Sequence, residues 1–139
     1  MFRSLRFLAG FAAAVLILSG LALTRARAAE LVMVERDGCP WCAAFDREIA
    51  PIYSKTAEGR RAPLRRIELD RPLPADLSFL QIDRLTPEFI LVDRGAEIGR
   101  IRGYPGPEGF WMQLAPLMER LPAPKAAPEF ASTVLPKAD

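Results

Sequence analysis

Histidine is absent from the 139-residue chain, and cysteine occurs only twice. Without histidine there is no imidazole general base, no mixed cysteine/histidine zinc site and no histidine-ligated copper or haem. Two cysteines are too few for a four-cysteine zinc or iron–sulfur site within one chain. No internal repeat is visible. What the chain does have is apolar content: half of its residues, enough for one small domain with its own core and too much for disorder throughout.

The N-terminus reads as an export signal. Arg3 and Arg6 form a positive region, Phe7 to Leu23 is an apolar segment of 17 residues, and Ala26-Arg27-Ala28 has the small-x-small form of a cleavage site. Cleavage after Ala28 is the natural reading, with residues 1–28 as signal peptide and the periplasm as destination. An uncleaved N-terminal membrane anchor is the alternative, although 17 apolar residues are marginal for a span. Arg3 and Arg6 are not adjacent, so this is not a twin-arginine signal. The leader also explains the basic balance. Its four arginines, Arg3, Arg6, Arg25 and Arg27, face no acidic residue, and removing them leaves 15 basic and 17 acidic side chains. A net charge of −2 gives no general drive toward nucleic acid.

Both cysteines fall in Asp37-Gly38-Cys39-Pro40-Trp41-Cys42, just after the apolar run Leu31-Val32-Met33-Val34. A strand that ends in Cys-X-X-Cys and opens a helix suits thiol–disulfide exchange. Unpaired N–H groups and the dipole at a helix N-terminus favour a thiolate at Cys39. Cys42, one turn in, is placed to attack a mixed disulfide and release the product. A structural bridge closing so short a loop would constrain little of the unfolded chain, although an idle or structural pair is the bland reading.

The rest of the chain predicts a compact α/β order. Leu31 to Glu35 reads as a buried central strand. A helix from Pro40 carries Cys42, Phe45, Ile49, Ile52 and Tyr53 on one apolar face and should kink or end near Pro51. Gly59 is expected in the following turn, and Leu64, Ile67 and Leu69 suggest a second strand. A short helix is expected around Ala75 to Leu80. Phe89 to Val92 and Glu97 to Ile101 form a hairpin around Asp93-Arg94-Gly95-Ala96. Pro107 to Leu121 is a terminal helix with Phe110, Leu114, Leu117, Met118 and Leu121 as its buried stripe, bent at Pro116. The first two strands can run parallel through a right-handed crossover, and the hairpin adds antiparallel strands. The expectation is a four-stranded mixed sheet flanked by helices over residues 29–121, followed by a disordered Pro/Ala-rich tail, 122–139.

Cys39-Pro40-Trp41-Cys42 after a buried strand, with Thr86-Pro87 before the hairpin, resembles the thioredoxin-like superfamily over roughly residues 30–121. That resemblance implies a cis peptide at Pro87 and a substrate-positioning role for Thr86 and Pro87. Asp37-Gly38-Cys39, Thr86 to Asp93, and Gly103-Tyr104-Pro105-Gly106 followed by Phe110-Trp111 most resemble the periplasmic thioredoxins of bacterial sulfur-oxidation systems. This narrower likeness implies a protein-disulfide reductase that keeps a sulfur-carrier protein active by removing its inhibitory disulfide. Its partners would be that disulfide-bearing periplasmic protein and a membrane thiol transporter as electron donor. No cofactor or metal is implied beyond the redox-active cysteine pair. The family's buried acidic residue, six positions before the first cysteine, is Met33 here. Glu35 shares that side of the pleat and is a candidate proton relay, or else a satisfied strand-end carboxylate.

Other readings stay open. The active-site dipeptide Pro40-Trp41 does not set the direction of electron flow, so an oxidant or isomerase fits the same chemistry, as does a glutaredoxin-like enzyme. A non-enzymatic soft-metal-binding protein or chaperone is the different-class alternative. Trp41 is read as a docking surface or as a ring folded back on the domain. Trp111 covers the sheet edge or binds a partner. Arg60, Arg61, Arg65 and Arg66 form either an anion or acidic-partner site or a solvated turn and edge strand.

Overall fold

The structure, a computed structural model, describes residues 28–123. The signal segment lies outside these residues except for Ala28, and the tail except for Pro122 and Ala123. Among the described residues, no helix is long and apolar enough to cross a membrane.

Strand β1 (Glu30–Glu35) is buried on both faces along Leu31 to Val34, as its unbroken apolar run requires. Helix α1 (Pro40–Glu48) follows, then the short helices α2 (Ala50–Tyr53) and α3 (Ala57–Arg61). Strand β2 (Leu64–Glu68) runs parallel to β1. A single 3-10 turn, Ala75–Leu77, is all that forms of the expected helix at 75–80. Strands β3 (Glu88–Asp93) and β4 (Ala96–Arg102) make the hairpin, with a register shift at Leu91/Val92, and helix α4 (Gly106–Glu119) closes the fold. The strand order is β2-β1-β3-β4, with β3 antiparallel to both of its neighbours.

Alternation sends Leu31, Met33, Phe89, Leu91 and Ile101 to the face covered by α1 and α4. Phe45 of α1 is the centre of this core. Its ring lies 4.7 Å from Phe89, 5.3 Å from Phe110 and 5.7 Å from Tyr104. Aromatic contacts of this kind add about 0.5–1.5 kcal/mol each beyond their buried area. The helix carrying the cysteines is thereby fixed to the sheet. Val32, Val34, Ile67, Ile90 and Val92 face the other way. There Leu77 and Leu80 cover them in place of a helix.

The first helix ends at Glu48, close to Pro51 as expected, and Pro51 stands near the start of α2, where a missing N–H costs nothing, so the chain re-enters a helix. The break turns Ile52 outward, and only Cys42, Phe45, Ile49 and Tyr53 of the expected stripe are buried. Gly59 lies inside α3, not in a turn: the Thr56 side chain caps that helix by accepting from the Gly59 N–H at 3.0 Å. Helix α4 continues past the exposed Pro116 to Glu119, and Leu117 is only half-buried.

Candidate active site

The site is built where β1 hands over to α1. Gly38 turns the chain with φ +71, a left-handed conformation that favours glycine. Cys39 then takes the N-cap position of α1 with extended backbone, and Pro40 occupies the first turn, where its missing N–H breaks no helical bond. The Cys42 N–H donates to Cys39 Sγ at 3.1 Å. This is one of the otherwise unpaired donors of a helix start, and it is aimed at the sulfur that would carry negative charge. Cys39 and Cys42 form a disulfide. Cys42 is 5 % exposed while Cys39 is only half-buried, so one sulfur faces partners and the other faces the core.

Two grooves flank the pair. One, of about 500 Å³, runs past Cys39 and Cys42 and is lined by charged side chains: Glu35, Asp37, Asp46, Arg66 and Glu68. Glu35 does share a face with buried Met33, and its carboxylate accepts from Arg66, which also binds Asp46. The other groove, of about 280 Å³, is lined by Trp41, Leu85, Thr86, Arg102 and Tyr104, among others. The Thr86–Pro87 peptide bond is cis, and the Pro87 carbonyl accepts from the Gly103 N–H at 2.8 Å. Trp41, between the cysteines, and Thr86, before the cis proline, therefore line one depression, the neighbourhood that the family resemblance implied.

Trp41 is 61 % exposed and does not fold back on the domain. Trp111 is half-buried and stacks on Tyr53, with centroids 6.0 Å apart and planes at 15°. The arginine cluster is not an anion site. Arg65 pairs with Glu30 and Asp76, and Arg66 with Glu35 and Asp46. Arg60 and Arg61 donate to backbone carbonyls of Lys55, Leu121 and Pro122. Tyr104 ties the end of β4 to α1, its hydroxyl donating to Glu48 at 2.6 Å. Burial and the nearby Glu48 carboxylate both push this phenol up.

Sequence reasoning missed Glu88, the residue after the cis proline. It is a fully buried carboxylate on the face away from the cysteines. Glu88 Oε1 accepts from Arg100 Nη1 at 2.8 Å, and Oε2 accepts from the Asp83 N–H at 3.3 Å. Arg100 also reaches the Gln81 carbonyl at 2.9 Å. The segment leading to Thr86 is thus tied to the sheet edge. Burial pushes the Glu88 carboxyl up more than Arg100 pulls it down. No sequence signal pointed to it: counting back from the turn at 93–96 would set Glu88 opposite Ile101, and only the register shift at Leu91/Val92 pairs it with Arg102, two residues from Arg100 on the same face.

Comparison with solved structures decides the family. The periplasmic thioredoxin SoxS from Paracoccus pantotrophus, in its reduced form, is 42% identical; the match covers 66% of this chain and 97% of that one, with a TM-score of 0.62. The chain belongs to the thioredoxin-like superfamily. Trxlp from Edwardsiella tarda EIB202 is 28% identical, with 63% of this chain and 82% of that one covered and a TM-score of 0.51. No family model and no curated protein sequence matches the chain. A thioredoxin-like protein with a paired Cys-X-X-Cys at the start of its first helix is a thiol–disulfide oxidoreductase, and this chain is one.

Proposed function

We propose that the protein is an exported thiol–disulfide reductase of the periplasm that reactivates the sulfur-carrier protein of a sulfur-oxidation system. The observation that carries this reading is the 42% identity to periplasmic SoxS over a match that covers 97% of that chain. Residues 1–28 act in it as the export signal, and a membrane thiol transporter supplies electrons.

In the reduced protein, the Cys39 thiolate attacks one sulfur of the partner's disulfide. The bond between the partner's sulfurs breaks, its second sulfur leaves as a thiolate and takes up a proton, and Cys39 is joined to the partner. Cys42 loses its proton and attacks Cys39 Sγ. The partner's remaining sulfur leaves, and the Cys39–Cys42 disulfide forms. Two electrons have passed from the pair to the partner, with no bound cofactor. In this reading Glu35, which lines the groove with both cysteines, is the proton acceptor for Cys42. Pro40 shapes the turn, Trp41 covers the docked partner, and Thr86 and Pro87 present backbone groups to it.

The test uses the purified sulfur-carrier protein in its disulfide form. Cys42→Ala should accumulate a covalent complex with it through Cys39, and Cys39→Ser should neither form that complex nor reduce the carrier above background. Reduction by the Cys39→Ser protein contradicts the assignment of the nucleophile. Reduction of other protein disulfides but not of the carrier contradicts the sulfur-oxidation role alone.

A further inference from the structure

We infer that Arg102 selects among substrates by binding a carboxylate that lies next to the substrate's disulfide. This rests on the reductase reading above and adds what the partner must look like. The groove beside Trp41 is mostly apolar, with Trp41 61 % and Leu85 45 % exposed. Among the described residues lining it, Arg102 carries the only charge.

The guanidinium is held by one edge. Arg102 Nε donates to Asp83 Oδ2 at 2.7 Å, and the side chain remains 59 % exposed. Among the described residues, neither terminal nitrogen of Arg102 has a hydrogen-bond partner. The other strand arginines differ. Arg65, Arg66 and Arg100 each bridge two carboxylates through their terminal nitrogens. Arg102 has one close carboxylate, with Glu88 next at 3.9 Å, and so keeps an open fork toward the groove. Such a fork matches a carboxylate in a two-bond geometry.

Its position is fixed from behind by Asp83, whose backbone N–H is in turn held by buried Glu88. Little freedom is then lost on binding. The groove on the far side of the cysteines opposes the same ligand, since Glu35, Asp37, Asp46 and Glu68 outnumber Arg36 and Arg66 there. A substrate segment with an apolar side chain and a carboxylate beside its cysteine is steered to the Trp41–Leu85–Arg102 side. The carboxylate can be an acidic side chain or a chain's own C-terminus.

The experiment is single-turnover reduction of short peptides whose one cysteine is joined to 2-thiopyridine. The Cys39 thiolate takes the peptide sulfur, the peptide–pyridyl disulfide bond breaks, and released thiopyridone is read by absorbance. All peptides carry leucine beside the cysteine. One pair differs by glutamate against glutamine with an amidated C-terminus; the other is neutral inside and differs by free acid against amide. The wild-type full chain should reduce at least one carboxylate peptide about fivefold faster than its neutral twin at low salt, less at high salt. The pair showing the preference names the source. Arg102→Gln should bring that ratio to about one, Arg102→Lys should keep part of it, and Arg102→Glu should turn it toward a lysine-bearing peptide. Equal rates within both wild-type pairs, or an unchanged ratio in Arg102→Gln, overturn the inference while leaving the reductase intact. Failure of the wild-type chain to release thiopyridone from any peptide contradicts the reductase reading itself.

Discussion

Glu88 is the residue whose environment is hardest to reconcile with its charge. A carboxylate removed from water is costly unless it is paired and hydrogen-bonded. Here Arg100 and the Asp83 N–H supply both, yet burial still holds its pKa above the ordinary value of 4.5. The folded state therefore holds the Glu88 proton more tightly than the unfolded chain does. Its contribution to stability is most favourable below the unfolded pKa and is lost as pH rises through the folded one. Urea unfolding of wild type and Glu88→Gln across pH 8 to 4.5 checks this. The difference between them should move in favour of the wild type as pH falls. A difference that moves the opposite way contradicts the assignment. None of this was legible in the sequence, where Glu88 reads as an ordinary polar residue opening a strand. Its partners come from Asp83, five residues back, and Arg100, twelve ahead, and only the closed hairpin brings them together.

Helix α3 shows what short elements depend on. It has five residues, too few to be stable alone, and stands because Thr56 caps it and the chain crosses close over it. At Gly59 a methyl group would sit 1.8 Å from the Tyr53 carbonyl oxygen. Gly59→Ala should therefore destabilise the protein by about 2 kcal/mol or more, although alanine is the better helix former in isolation. Chemical denaturation would read this as a lower midpoint with the slope unchanged; an equal or higher midpoint contradicts the close packing. The long elements were legible for a simple reason. Strand β1 is a continuous apolar run, the β3–β4 hairpin is marked by Asp93-Arg94-Gly95-Ala96, and the face of α4 has helical period. The stretch from Ala50 to Arg61 was not, because its structure is decided by tertiary contacts. Tyr53 donates to the Ala62 carbonyl at 2.9 Å, and Trp111 of α4 stacks on the Tyr53 ring.

Across the whole molecule the cysteine pair sits between two unlike surfaces. One is a charged groove holding Glu35 and Arg66, the other an apolar one holding Trp41 and Leu85 with Arg102 at its rim. The pair was legible because Cys-X-X-Cys is short and is the chain's only use of cysteine, whereas Thr86–Pro87, one X-Pro among 13 prolines, stood out only through the family resemblance. The tuning of the grooves was not legible, since it depends on which arginine meets which carboxylate after folding. Whether this arrangement gives or takes electrons is read from the reduction potential of the Cys39–Cys42 couple. Equilibration of the exported chain with defined dithiothreitol and glutathione buffers should give a value near the thioredoxin end of the range, about −270 mV. A value higher by about 100 mV or more would make the disulfide the unstable form, contradict the reductase and identify an oxidant or isomerase.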